Sequence, residues 1–477
     1  MKHKPGDPQT RRDSVAGLAD ASGALCRHIA LRLGRRRAAL VALSGGLDST
    51  VLLDALACLR SQQIPDLALR AVYIHHGLSA HADEWALHCQ ALCLRLRVPF
   101  LRIDVRVDAA DGGIEAAARG ARYRALAQTL LPGETLLTAQ HQDDQGETLL
   151  LALKRGSGPA GLSSMAAASP FHGHELLRPL LDIGRARLRD YAESRCLSWI
   201  EDESNQDERF DRNFLRLRII PLLKRRWPHF SQAAARSARL CAEQETLLDE
   251  LLGETLHQLT AADNSLDLAP MLTMSAVRRG AVLRRWLASA EIAMPSREQL
   301  DRIWTEVAQS RRDAEPSLRL GERQIRRYRQ RLFILPLWPS LRERVLTWED
   351  TGRPLSLPED LGMLRQGAGG APVRRPQADE RVSVRFTAAG ILHIVGRRHG
   401  RSIKKLWQEL GIAPWQRERT PLVYYNEQLI AAPGIFITRE GEAKEGETGL
   451  FLQWVRQAGD MGQMLTDRRY GNDANGK

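Results

Sequence analysis

LVALSGGLDSTVLLDAL, residues Leu40–Leu56, is the stretch on which the fold turns. An apolar run from Ala38 to Leu43 stops at Ser44-Gly45-Gly46-Leu47-Asp48-Ser49-Thr50, and apolar residues return at helical spacing at Val51, Leu52, Ala55, Leu56 and Leu59. A strand, two glycines with small hydroxylic residues, then a helix is the geometry that holds an anion, because first-turn amides lack partners and the helix dipole favours negative charge. Gly45 and Gly46 permit unusual backbone angles and close approach, while Ser44, Ser49 and Thr50 offer hydroxyl donors. No GK[ST] follows, so this is not a Walker A loop with its γ-phosphate lysine. Asp48 stands where a bare phosphate loop has no use for a carboxylate, and a part in holding Mg²⁺ accounts for it. A serine-glycine strand-to-helix turn without a ligand is the plainer alternative.

Outward from this stretch, β-prone and helical runs alternate up to about Trp199. AALVAL precedes a helix after Ser49, LRAVYI (Leu69–Ile74) one after His81, FLRIDV (Phe100–Val105) one from Ile114, and TLLT (Thr135–Thr138) one from Asp144. The pattern predicts an α/β fold with a parallel sheet covered on both faces, and ligands then belong at the carboxyl ends of the strands. From Ser231 to about Arg331 the reading is helical, as a connecting helix and a small helical domain. Pro-rich punctuation at LPLWPSL and the stretch Pro354–Gln377 mark a boundary before a small α+β unit. The expected segments are a disordered tail over 1–25, a catalytic domain over 26–228, a helical domain over 229–345, an α+β domain over 355–456 and a second disordered tail over 457–477.

With 477 residues, 43% of them hydrophobic, the chain can bury ample core, and at roughly 150 residues per domain it has room for about three domains. No apolar run is long enough to span a bilayer, and the basic N-terminus has no apolar segment after it, so a cytoplasmic protein is expected. Six cysteines sit in apolar patterns without CxxC or zinc-ligand spacing. The net charge of +12 favours a polyanionic partner, although a solvated basic surface reads equally well from composition.

A second cluster, TAQHQDDQGETLLLALKRGSG, places His141, Asp143, Asp144 and Glu147 at the end of a predicted strand and the start of a helix. Asp143 and Glu147 lie four apart and are expected to share a face. Acids in a first turn also complement the helix dipole, which covers one or two of them but not a histidine and three carboxylates together. In IEAAARGARYRAL, Glu115 and Arg119 have the spacing of an ordinary helix ion pair, with Arg122 and Tyr123 next. WIEDESNQDERFDRNFLRLRIIPLL gathers acids with Asn205, Arg212, Asn213 and Arg216.

SGGLDS resembles the PP-loop of the N-type ATP pyrophosphatases, which cleave ATP between the α and β phosphates and activate an oxygen as its adenylate. Together with HQDDQGET, LKRGSGPAGL and WQRERTPLVYYN, the chain from Arg37 to about Leu452 resembles the longer, three-domain bacterial tRNA(Ile)-lysidine synthetases. Gly146 stands where that pattern has alanine. The resemblance implies ATP and Mg²⁺ as cofactors, free L-lysine as substrate and tRNA(Ile) with a CAU anticodon as partner. It implies catalytic roles for Asp48, His141, Asp143, Asp144 and Glu147, with Asp48 as the Mg²⁺ ligand, and ATP binding by Ser44, Gly45, Gly46, Leu47, Asp48 and Ser49. Lysine or tRNA contacts fall to Glu115, Arg119, Arg122, Lys154, Arg155, Asn205, Arg212 and Arg216. The C-terminal run Arg397, Arg398, Arg401, Lys404, Lys405, Arg417 and Arg419 would meet the tRNA body, while Trp407 beside it reads as core. Three alternatives stay open: a PP-loop tRNA thiolase using Cys89 and Cys93, a non-catalytic tRNA-binding protein, and a carbon-nitrogen ligase acting on a small acid. Oligomeric state is open too, a homodimer included.

Overall fold

The computed structural model describes residues 23–77, 79–107, 114–292, 294–311, 314–367, 371–444 and 446–456. Both predicted disordered tails lie largely outside the described residues. The chain divides into two compact units, Met1–Leu248 and Asp249–Lys477.

In the first unit, strands β1 (Ala38–Ala42), β2 (Ala68–His75), β3 (Phe100–Asp104) and β4 (Thr135–Leu137) alternate with helices α1 (Leu47–Gln62), α2 (Ala82–Leu96), α3 (Ile114–Thr129) and α4 (Gln142–Lys154). With β5 (Ala168–Phe171) and β6 (His174–Leu177) they form one sheet in the order β3-β2-β1-β4-β6-β5. All pairings are parallel except β5 with β6, an edge hairpin that the sequence pattern did not announce. Apolar side chains pack on both faces. One core gathers Val51, Leu52 and Leu56 of α1, Cys89 and Cys93 of α2, and Leu188 and Tyr191 of α5 (Arg185–Ser194). The other packs Leu126 of α3 against Leu40, Val72, Leu136 and Leu176 of the strands. Burial on two faces is why these strands read as continuous apolar runs. The chain then runs helically through Asp211–Phe214, a π-helical turn Leu215–Ile219, α6 (Ile220–Arg226) and α7 (Phe230–Leu259).

The second unit departs from the helical reading of its first half. Alongside α8 (Ala276–Ser289) and α9 (Arg297–Arg302), the segment carries a four-stranded antiparallel sheet built from Leu266–Asp267, Ser317–Leu320, Arg323–Tyr328 and Arg331–Pro336. These strands hide their signal, because Arg323, Arg326, Arg327 and Arg331 occupy positions where an alternating strand shows β-branched residues. One core of Trp286, Ile303, Ile325 and Leu332 joins helices and sheet. The C-terminal half is α+β as expected, with a five-stranded antiparallel sheet and the helix Ile403–Glu409. No described helix is long and apolar enough to cross a membrane.

Candidate active site

The loop between β1 and α1 is held open by its own residues. Gly45 has φ +82°, and a Cβ there would stand 2.4 Å from Ile200 Cδ1 and 3.0 Å from Cys89 Sγ, so both the angle and the space demand glycine. The Ile200 amide donates to the Gly45 carbonyl at 2.9 Å and ties the loop to the chain after α5. Gly46 caps α1 in an extended conformation with no side-chain cap, which leaves first-turn amides without an internal acceptor. Ser49 Oγ donates to the Gly46 carbonyl at 3.1 Å and accepts the Ser44 amide at 3.2 Å. Thr50 Oγ1 donates to the Gly45 carbonyl at 3.2 Å and is fully buried, so it braces the loop and is not the ligand donor the sequence suggested. Leu47 is a core side chain, able to serve a ligand only through its backbone.

The second cluster meets the first at the carboxyl edge of the sheet, because β1 and β4 are neighbours. Helix α4 starts at Gln142, two residues earlier than predicted, because His141 acts as its cap: Nδ1 accepts the Asp143 amide at 3.2 Å, and Asp144 accepts the His141 amide at 2.9 Å. That contact leaves the Nε2 of His141 facing Asp48 Oδ2 at 3.5 Å and Asp144 Oδ2 at 3.6 Å. Burial pulls the His141 pKa down, but the hydrogen bond with Asp48 and the charges of Asp144, Asp48 and Asp143 raise it above the usual imidazole value. Burial opposes ionisation of Asp48 as well, yet His141, Arg185 and Arg216 hold its carboxyl below the ordinary range.

Asp143 and Glu147 do not converge as expected. Glu147, 1% exposed, receives Arg216 on both oxygens at 2.7 and 3.0 Å and has Arg212 Nε at 3.0 Å. Arg216 also donates to Asp144 Oδ1 at 3.0 Å, so the convergent pair is Asp144 with Glu147, one helical turn apart and bridged by one guanidinium. Asp143 turns the other way: Lys224 and Ser231 donate to Oδ1, the latter at 2.7 Å, and the Arg185 amide donates to Oδ2 at 3.0 Å. Against the cost of burial these donors hold its pKa down to about 2. Asp143 is therefore a poor proton acceptor and a tether binding α4 to α5, α6 and α7. A carboxyl lowered in the fold stabilises it above the unfolded pKa near 4, and the contribution fades as pH falls towards 2. Asp143→Asn is expected to cost about 2 kcal/mol at pH 7, with the difference from the parent shrinking to a few tenths of a kcal/mol at about pH 2, as urea melts at both pH values would show.

Lys224 and Ser231, which no sequence signal singled out, stand 81 and 88 residues from Asp143 and carry no local motif. Cys89 and Cys93 are fully buried, and burial pushes both thiols to about 12, so neither offers the thiolate a cysteine-dependent thiolase needs.

Comparison with known proteins now bears on this geometry. Residues 25–223 match the model of a PP-loop domain, residues 266–333 that of the TilS substrate binding domain and residues 382–454 that of the TilS substrate C-terminal domain. The chain is 58% identical over 430 residues to the tRNA(Ile)-lysidine synthase of Edwardsiella ictaluri, covering 90% of this chain and 98% of that one. It is 59% identical over 433 residues to that of Serratia proteamaculans, covering 91% and 99%. The chain belongs to the tRNA(Ile)-lysidine synthase family. The further residues that resemblance to this family pointed to are dispersed more widely than the catalytic cluster. Lys154 pairs with Asp211 at 2.6 Å, Arg155 and Asn205 are exposed, and Asn213 Nδ2 braces the preceding loop through the carbonyls of Ser204 and Asp207. The Glu115 side chain lies outside the described residues. In the second unit Arg397 and Arg401 both pair with Glu409, Arg417 donates to the Ile412 carbonyl, and Arg419 lies over Trp338. Arg398, Lys404 and Lys405 lie on the surface of that unit, whereas Trp407 and Trp415 are core.

Proposed function

We propose that the chain ligates free L-lysine to C2 of the wobble cytidine in the CAU anticodon of tRNA(Ile), in two ATP-dependent steps. The reading rests on one juxtaposition above all: Asp48 of the SGGLDS loop stands 3.5 Å from His141 at the head of the HQDDQGET helix, on neighbouring strands. In the first step the C2 oxygen attacks the α-phosphorus of ATP and pyrophosphate leaves, with the uncapped amides of α1 positioned for the phosphate charge. In the second, the lysine ε-nitrogen attacks C2, the C2–O bond breaks and AMP departs.

A free ε-amine has a pKa near 10.4, so presenting it neutral at pH 7 costs roughly 4 to 5 kcal/mol. Asp144 and Glu147 are our candidates to hold that ammonium and take its proton, with Arg216 and Arg212 yielding an oxygen to the incoming cation, while Asp143, held down at about 2 by Lys224, Ser231 and the Arg185 amide, is the weaker base. Among the described residues no three His, Cys, Asp or Glu side chains form a metal cage. A Mg²⁺ shared with nucleotide phosphates needs only one or two carboxylates, and Asp48 Oδ1 is buried without a hydrogen-bond donor, so Asp48 fits as its ligand. Bound there, the ion would neutralise phosphate charge.

The test supplies ATP, Mg²⁺ and labelled lysine with two transcripts in parallel, an isoleucine tRNA with a CAU anticodon and an elongator methionine tRNA. Label is expected in the isoleucine tRNA alone, and label in neither removes the lysidine reading. Binding of that tRNA is expected to weaken steeply with salt, and salt-insensitive binding would speak against the phosphate contacts.

A further inference from the structure

Arginines at the two ends of the central sheet are treated differently. At the amino end Arg70 pairs with Glu134 at 2.6 Å and Arg36 with Glu175 at 2.5 Å. At the carboxyl end Arg119 and Arg122 of α3 and Arg178, directly after β6, have no carboxylate within ion-pair reach among the described residues. They surround Tyr123. Arg119 lies 4.9 Å from the centre of its ring and reaches the phenol oxygen at 3.4 Å, and the Arg178 guanidinium lies close enough to feel the charges of Tyr123 and Arg119. Arg122 Nε donates to His76 Nε2 at 3.2 Å, which requires a neutral imidazole, and burial together with Arg122 holds His76 down at about 4. A protonatable group that would alter the charge of the cluster is thus kept neutral near neutral pH.

Two buried donors in this cluster point to a missing partner. Arg178 Nη1 donates to the Ala166 carbonyl at 2.7 Å, but its Nε is buried with no acceptor, and so is His76 Nδ1, the nitrogen left to carry the proton. An orphaned buried guanidinium nitrogen is costly unless a ligand completes it. Arg119 and Arg122 are exposed, so the cluster is reachable from solvent. The strand order sets its place: β2, which leads into His76, and β6, which leads into Arg178, flank β1 and β4, whose ends carry the SGGLDS loop and His141.

We infer that Arg119, Arg122 and Arg178, arranged around Tyr123 and His76, form a phosphate-binding cradle beside the catalytic cluster. Guanidinium forks match phosphate oxygens in pairs, and the absence of any acid from the cluster among the described residues suits an anion that arrives with its substrate. The inference rests on the lysidine reading for the identity of the substrates, which offer that phosphate from two sources: the RNA backbone next to the target base, or the polyphosphate of ATP.

The test uses the full chain with Arg178→Gln and Arg122→Gln made separately. One probe is the CAU-anticodon isoleucine tRNA transcript and the other is α,β-methylene ATP, each titrated to a dissociation constant. Each variant is expected to weaken one probe about tenfold, the scale of one lost charge-assisted contact. Weakened transcript binding, with the slope of log affinity against log salt reduced by about one, identifies an RNA phosphodiester. Weakened analogue binding identifies the nucleotide. Unchanged affinity for both probes overturns the cradle, and because Arg122 is exposed, its variant alone decides the matter should Arg178→Gln fail to fold. Lysine transfer by the parent protein is the control: transfer with unaltered variant affinities overturns only the cradle, whereas no transfer overturns the functional reading.

Discussion

Asp48→Asn is expected to reduce lysine incorporation at least about a thousandfold, the scale of losing one charge-stabilising group at a reacting phosphate, while affinity for the tRNA transcript stays within about threefold. The substitution keeps the shape of the side chain and removes its charge. What is lost is the ionised Oδ1, buried without a donor, together with the charge opposite His141. Since the hydrogen bond with Asp48 leads the interactions that raise His141, the imidazole pKa should drop in the variant, and a histidine titration followed by NMR reads this independently of turnover. Adenylation measured in a single turnover without lysine separates the steps: loss there assigns Asp48 to the nucleotide chemistry. A variant that keeps a tenth or more of the parent's activity, or loses tRNA binding in proportion, would remove Asp48 from the catalytic set.

How far this site could be read from sequence depends on where its partners lie. The loop and the head of α4 were legible because their signals are local: a change of period from strand to helix around Gly45 and Gly46, and a histidine with three carboxylates inside seven residues. Even there, hydroxyl roles were not, since whether Thr50 faces a ligand or the Gly45 carbonyl depends on backbone path and not on residue type. The expected convergence of Asp143 with Glu147 failed for a related reason. Helical spacing put it on a face with Glu147, but Lys224 and Ser231 arrive from α6 and α7 and take its oxygens. The four-stranded sheet of the second unit was hidden by its arginines, since period-two alternation is visible only once the buried positions Leu318, Leu320 and Ile325 are known.

Arg216→Ala should be damaging in a second way, through stability as well as rate. Arg216 supplies both direct hydrogen bonds to the buried Glu147 carboxylate and one to Asp144, from a π-helical turn that aims its guanidinium inward. Removing one partner of a buried pair leaves an uncompensated charge, which costs about 3 to 5 kcal/mol, and Arg212 at 3.0 Å from Glu147 should keep the loss near the lower bound. At about 2 to 4 °C per kcal/mol the unfolding midpoint should fall by roughly 6 to 12 °C. Burial already pushes the Glu147 carboxyl up against the pull of Arg216, so in the variant it should take up a proton at higher pH, and the stability deficit should narrow as pH is lowered. The paired replacement Glu147→Gln with Arg216→Met decides whether the bridge is more than scaffolding. Removing both charges together restores much of the midpoint, because no ion is left buried alone. If the bridge only held the helices together, activity would return with stability. If Glu147 takes the proton from the lysine ammonium, the double variant folds well and remains inactive, with its loss of turnover undiminished by saturating lysine, whereas a part in holding the ammonium alone shows as a raised KM that saturating lysine overcomes.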